Sequence, residues 1–114
     1  MDVITIWHNP RCSKSRETLA LLTDKGITPE VRHYLDDVPT ADELRSALAT
    51  LGLTAGELVR HKEALFKDLE LANADDDQLI DAMAAHPKLI ERPIVFSNGR
   101  AALGRPPENV LAIL

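Results

Sequence analysis

Cys12 is the one cysteine in a chain of 114 residues, and its neighbours decide whether it is a bystander or a working thiol. It lies in His8-Asn9-Pro10-Arg11-Cys12-Ser13-Lys14-Ser15-Arg16, just after a proline and just before a segment with helical spacing. A sulfur at a helix start faces unpaired N–H groups and the positive end of the helix dipole, and both favour the thiolate over the thiol. His8, Arg11, Lys14 and Arg16 add potential positive charge within four residues on either side. A lone cysteine is ordinarily a small buried apolar residue. Such a residue needs neither the proline nor the cations, so the pattern points to nucleophilic thiol chemistry.

The spacing narrows that chemistry. Ser15 stands where a second cysteine would complete a two-thiol redox motif, so Cys12 cannot close a local disulfide and any turnover must borrow an external thiol. A cysteine-dependent phosphatase loop would place Arg six positions after the cysteine, where this chain has Thr18. Metal binding is disfavoured, because there is one thiol and His8, His33, His61 and His86 are scattered along the chain.

Three kinds of element are needed to position this cysteine. Val3-Ile4-Thr5-Ile6-Trp7, closed by Asn9-Pro10, reads as a buried strand. Residues 13 to 25 read as a helix with Leu19, Leu21 and Leu22 on its apolar side, Ser and charged residues on the other, and Gly26 at its end. Glu30-Val31-Arg32-His33-Tyr34-Leu35 alternates and reads as a second strand, giving a parallel strand-helix-strand unit. A helical block follows, its starts marked by Thr40 with Glu43, Thr54 with Glu57, and Asp75 with Gln78. Leu44, Leu48 and Leu51, then Leu65 and Leu69, then Leu79, Ile80 and Met83 are its expected core positions, and Pro87 ends it. Ile94-Val95-Phe96 and Arg100-Ala101-Ala102-Leu103 flank Asn98-Gly99 as a hairpin, and Pro106-Pro107 opens a final helix carrying Val110, Leu111, Ile113 and Leu114.

Composition sets the outer bounds. The chain is expected to form one domain over residues 1–114, since halves of it would bury too little surface. Its formal net charge of -5 argues against a general nucleic-acid binder. No apolar run has the length of a membrane span, and Met1-Asp2-Val3-Ile4 lacks the basic start of a signal peptide, so a cytoplasmic protein is expected. Residues 36 to 91 hold 13 of the 18 carboxylates, whereas residues 8 to 16 and 92 to 107 hold three Lys or Arg each and no acid. If those two basic segments meet in space, they form an anion site.

The segment His8 to Arg16, then Arg60, then Glu91-Arg92-Pro93-Ile94-Val95, then Gly104-Arg105-Pro106-Pro107, resembles the glutaredoxin-coupled arsenate reductase family nearly from end to end. That resemblance implies a thioredoxin-like α/β fold, a four-stranded mixed sheet with a helical insertion, about residues 40–86, between its halves. It places the nucleophile on Cys12, with His8 and Ser15 favouring and hydrogen-bonding its thiolate. Arg60, Arg92 and Arg105 fall on the oxyanion-binding arginines, where a guanidinium fork matches a tetrahedral oxyanion and stays charged. Pro93 resembles the cis-proline that such folds set beside the active cysteine. Ser13 and Lys14 replace a smaller, uncharged pair, and the chain stops at Leu114 without a C-terminal extension, so the resemblance is to a short subgroup.

The reaction implied is reduction of arsenate to arsenite through a Cys12 adduct, with glutathione as co-substrate, glutaredoxin as protein partner, and no bound cofactor or metal. Two other readings compete. One is a monothiol oxidoreductase acting on glutathionylated proteins, which would not require the three arginines. The other is a redox-sensing regulator that binds RNA polymerase, which resembles the same fold but usually carries the second cysteine that Ser15 replaces. Arg16 and Arg100 read as ordinary surface residues.

Overall fold

The computed structural model describes residues 3 to 114; Met1 and Asp2, used above in reading the N-terminus, lie outside them. Two compact units are formed, one by the chain up to Asp37 together with Arg92–Leu114, the other by Val38–Glu91.

The first unit is built on the β-branched run Ile4–Trp7, which forms β1, followed by α1 over Ser13–Asp24 and β2 over Glu30–Arg32. The later hairpin supplies β3 (Ile94–Ser97) and β4 (Arg100–Leu103), joined where Asn98 and Gly99 both take positive φ, as a tight hairpin turn requires. The sheet order is β2-β1-β3-β4, with β1 parallel to β2 and antiparallel to β3. It is the four-stranded mixed sheet expected from the sequence. Ile6, Leu22, Val95 and Val110 form the buried centre between sheet and helix.

Three details differ from the sequence reading. β2 stops at Arg32 instead of Leu35, because the amides of Asp36 and Asp37 both donate to the carbonyl of His33 at 3.0 and 2.8 Å and turn the chain. Ser15 and Thr18 lie fully buried, so the face of α1 that looked polar turns inward at those positions. The final helix is a 3-10 helix over Pro107–Ile113. Its repeat of three puts Pro107, Val110 and Ile113 along one covered face and leaves Leu111 and Leu114 exposed.

In the second unit, the three expected helix starts are all capping boxes. Thr40 and Glu43 open α2 (Ala41–Leu51), Thr54 and Glu57 open α3 (Ala55–Leu58), and Asp75 and Gln78 open α5 (Asp76–Ala85). Each box satisfies two amides that the first turn leaves without partners. Leu44, Leu48, Leu79, Ile80 and Met83 are buried, as their spacing predicts. Leu69 is not, being 40% exposed. It follows α4, a single turn over Ala64–Asp68, and Glu70 then takes positive φ and redirects the chain before a second helical repeat can form.

Candidate active site

The site begins where β1 runs out. The amide of His8 still reaches the carbonyl of Arg32 at 2.9 Å, continuing the parallel ladder one step beyond Trp7. Asn9 then folds the loop. Its side-chain oxygen accepts the amide of Arg11 at 3.0 Å, its carbonyl accepts the amide of Cys12 at 3.0 Å, and its own amide donates to Ser15 Oγ at 3.0 Å. These bonds deliver Cys12 to the N-cap of α1, with extended backbone and its carbonyl accepting the amide of Arg16 at 3.0 Å. Cys12 is buried, with 7% of its surface exposed.

Burial pushes the thiol of Cys12 up, yet the net displacement is downward. The backbone N–H of Ser15, the guanidinium of Arg92, the backbone N–H of Lys14 and the guanidinium of Arg105 together outweigh the loss of solvent. Two of these four groups belong to the start of α1. The other two come from the far end of the chain.

The fold disfavours the positive charge that the sequence suggested for His8. The residue is 5% exposed, and burial first, then His33 and Arg16, hold it below the ordinary histidine value. The neutral form is favoured, since charging it would cost solvation and set it against two cationic or chargeable neighbours. His8 Nδ1 lies 2.6 Å from the hydroxyl of the fully buried Ser15. A neutral ring accepting at Nδ1 lets that hydroxyl donate to His8 while accepting the amide of Asn9. Ser15 thus spends its side chain on the loop and offers Cys12 its backbone N–H.

Arg92 and Arg105 stand at the two open ends of the β3–β4 hairpin, one just before it and one just after. Pairing of Trp7 with Ile94 brings that end of the hairpin beside the His8 loop. Arg92–Pro93 and Arg105–Pro106 are both cis peptide bonds. Arg105 Nη1 donates to the carbonyl of Arg92 at 3.4 Å, and the amide of Gly104 donates to the carbonyl of Pro93 at 2.9 Å, tying the two arginine segments together. The basic segments at residues 8–16 and 92–107 therefore meet through Cys12, Arg92 and Arg105. Of their other cations, Arg11 and Arg100 are exposed, Arg16 donates to the carbonyl of Pro10 at 3.0 Å, and Lys14 pairs with Glu17 at 3.6 Å.

Arg60 belongs to the second unit. There its Nη1 lies 3.2 Å from Glu63 and donates to the carbonyl of Lys88 at 3.2 Å, while its Nε lies 3.7 Å from Glu91. Asn9, Thr18 and Gly104 are the residues to which the sequence reading gave no positional role. Asn9 stood next to Pro10 in a loop that had to turn sharply, and that was the available signal. Thr18 and Gly104 gave none, because their importance depends on a contact between residues far apart in the chain. Among the described residues, no cluster of three or more His, Cys, Asp or Glu side chains has the arrangement to hold a metal ion, and no helix is long and apolar enough to cross a membrane.

The arrangement is a buried thiol whose ionised form is favoured by two backbone amides and two guanidinium groups, a combination suited to attack on a small oxyanion. Comparison with known proteins is consistent with that chemistry. The ArsC family model matches residues 7–113. A protein from Escherichia coli K12 described as the uncharacterized protein YfgD is 54% identical over 114 residues, covering 97% of this chain and 96% of its own. An arsenate reductase from Neisseria meningitidis serogroup B is 50% identical over 117 residues, covering both chains in full. The solved structure of an arsenate reductase from Vibrio cholerae superposes with a TM-score of 0.95 at 54% identity, covering 98% of each chain.

Proposed function

The chain belongs to the ArsC family, of thioredoxin-like fold, and from that premise we propose that it is an arsenate reductase working through the thiolate of Cys12. The observation that carries this reading is the convergence on one buried sulfur of two α1 amides and of Arg92 and Arg105.

In the proposed reaction, the Cys12 thiolate attacks arsenic(V), forming an S–As bond while one arsenate oxygen leaves as water after taking up protons. The guanidinium groups of Arg92 and Arg105 hold the remaining oxygens and stabilise their charge as it shifts. The family resemblance adds Arg60 as a third such group. Glutathione then attacks the Cys12 sulfur. The S–As electron pair passes to arsenic, which departs as arsenite, and Cys12 is left in a mixed disulfide with glutathione. The thiolate of glutaredoxin attacks the glutathione sulfur of that disulfide and returns Cys12 to its thiolate. No second cysteine is available in the chain to do this, which is why an external thiol is required. A lone reactive thiol of this kind suits a reducing compartment, and we assign the protein to the cytoplasm.

The test is arsenate-dependent NADPH consumption in a coupled assay with glutathione, glutaredoxin and glutathione reductase. Wild type should turn over, Cys12→Ser should not, and thioredoxin should substitute poorly for glutaredoxin. Cleavage of glutathionylated substrates without any arsenate turnover at low phosphate would replace this reading with that of a monothiol oxidoreductase.

A further inference from the structure

Gly104 is buried at the exit of β4, one residue before Arg105. Its amide donates to the carbonyl of Pro93 at 2.9 Å. On its other side stands Thr18, a fully buried residue of α1 whose hydroxyl donates to the carbonyl of Lys14 at 2.8 Å, with the carbonyl of Gly104 at a longer 3.5 Å. A β-carbon added to Gly104 would stand 2.7 Å from Pro93 Cγ and 3.1 Å from Thr18 Cγ2, and it would collide outright with Thr18 Oγ1. There is no room for one. Both neighbours are ill placed to yield, since Thr18 is anchored in a helix and the Cγ of Pro93 is held in its ring.

We propose that Gly104, seated between Thr18 and Pro93, is a positioning residue that fixes how closely Arg92 and Arg105 approach Cys12. The logic is that of a spacer of minimal size. Thr18 belongs to the helix whose first amides face the sulfur, and Pro93 and Gly104 adjoin the two arginines. The thickness of the seat therefore sets the separation between the helix that presents the nucleophile and the segments that bring the guanidinium groups. A side chain at position 104 pushes those segments away from α1, and both arginines retreat together. This inference rests on the reading of Cys12 as a thiolate nucleophile beside two oxyanion-binding arginines.

The experiment measures two quantities in Gly104→Ala: the pH midpoint of Cys12 alkylation, and the affinity for inorganic phosphate as an oxyanion probe. The midpoint should rise by roughly half a unit, the size of a partial loss of two nearby charges, and phosphate affinity should fall about threefold or more, the same free-energy change read as binding. Adding Thr18→Ala to Gly104→Ala removes the two Thr18 atoms from the seat, leaving the crowding against Pro93, and should recover part of both changes. If Gly104→Ala does not fold, Thr18→Val, which puts a bulkier methyl in place of the hydroxyl that faces Gly104, should shift both readouts in the same direction. A folded Gly104→Ala or Thr18→Val protein with wild-type midpoint and wild-type phosphate affinity overturns the inference. Failure of the underlying reading looks different: the wild type itself would then show an ordinary thiol and no phosphate affinity.

Discussion

Ser15 meets His8 at 2.6 Å, Oγ to Nδ1, while its backbone amide serves the sulfur of Cys12. The pair separates two functions that one residue could have been thought to combine. The hydroxyl fastens the loop, and the backbone N–H favours the thiolate. Removing the side chain of Ser15 should therefore damage stability more than it changes the nucleophile.

Ser15→Ala leaves His8 Nδ1 and the amide of Asn9 without their partner in a buried setting, a loss worth about 1–3 kcal/mol. Urea unfolding should show that loss. The pH midpoint of Cys12 alkylation should move less in Ser15→Ala than in Arg92→Ala, because the Ser15 amide survives the substitution. A midpoint that moves further in Ser15→Ala would mean that the hydroxyl itself holds the thiolate.

Arg92 and Arg105 should each matter to both the thiolate and its anion. Arg92→Ala and Arg105→Ala are expected to raise the alkylation midpoint, Arg92→Ala by the larger amount, as the order of their effects on Cys12 indicates. A charged hydrogen bond contributes ~1.5–3 kcal/mol, so phosphate or arsenate affinity should fall roughly ten- to a hundredfold for each. Arg45 serves as the control, being paired with Asp42 and Asp77 in the helical unit. Arg45→Ala should leave both titration and anion binding unchanged, as measured by calorimetry at low ionic strength.

Most of the fold was legible in the sequence because the signals were local. The capping boxes at Thr40, Thr54 and Asp75 and the Asn98-Gly99 turn are each decided within four residues, and all stand as read. Leu69 failed for the opposite reason: its spacing from Leu65 is helical, but α4 ends before that spacing can be used. The polar face assigned to α1 misled because Ser15 and Thr18 are buried against loop groups that lie far off in sequence or are set by the fold. His8 shows the same limit in electrostatic form. Four residues from Cys12 it counts as a cation, whereas burial, His33 at a ring-centre distance of 5.9 Å and Arg16 favour its neutral form.

The two displaced titrations also fix how stability depends on pH. Cys12 titrates lower in the folded chain than in the unfolded one, so the folded state holds fewer protons between the two values and unfolding free energy rises with pH across that window. This contribution is complete above the unfolded value, roughly 8.5, and is lost as pH falls through the folded one. Wild type should therefore gain on Cys12→Ser as pH rises through the window. His8 acts in the same direction at lower pH, its contribution being complete above 6.5 and lost as pH falls through its folded value, where the buried ring takes a proton. Urea denaturation of wild type, Cys12→Ser and His8→Gln between pH 5 and pH 9 checks both, and a Cys12→Ser curve parallel to wild type throughout would contradict the first.

Arsenate reduction by this chain requires before all else that Cys12 be a thiolate near neutral pH, and the rate of its alkylation by iodoacetamide against pH measures that directly. The chain has no other cysteine, so the signal belongs to one sulfur. The rate should follow a single titration with its midpoint well below the roughly 8.5 of a free thiol, and arsenate or phosphate should slow it by occupying the site. A midpoint at 8.5 or above, with no protection by either anion, would contradict the account at its root.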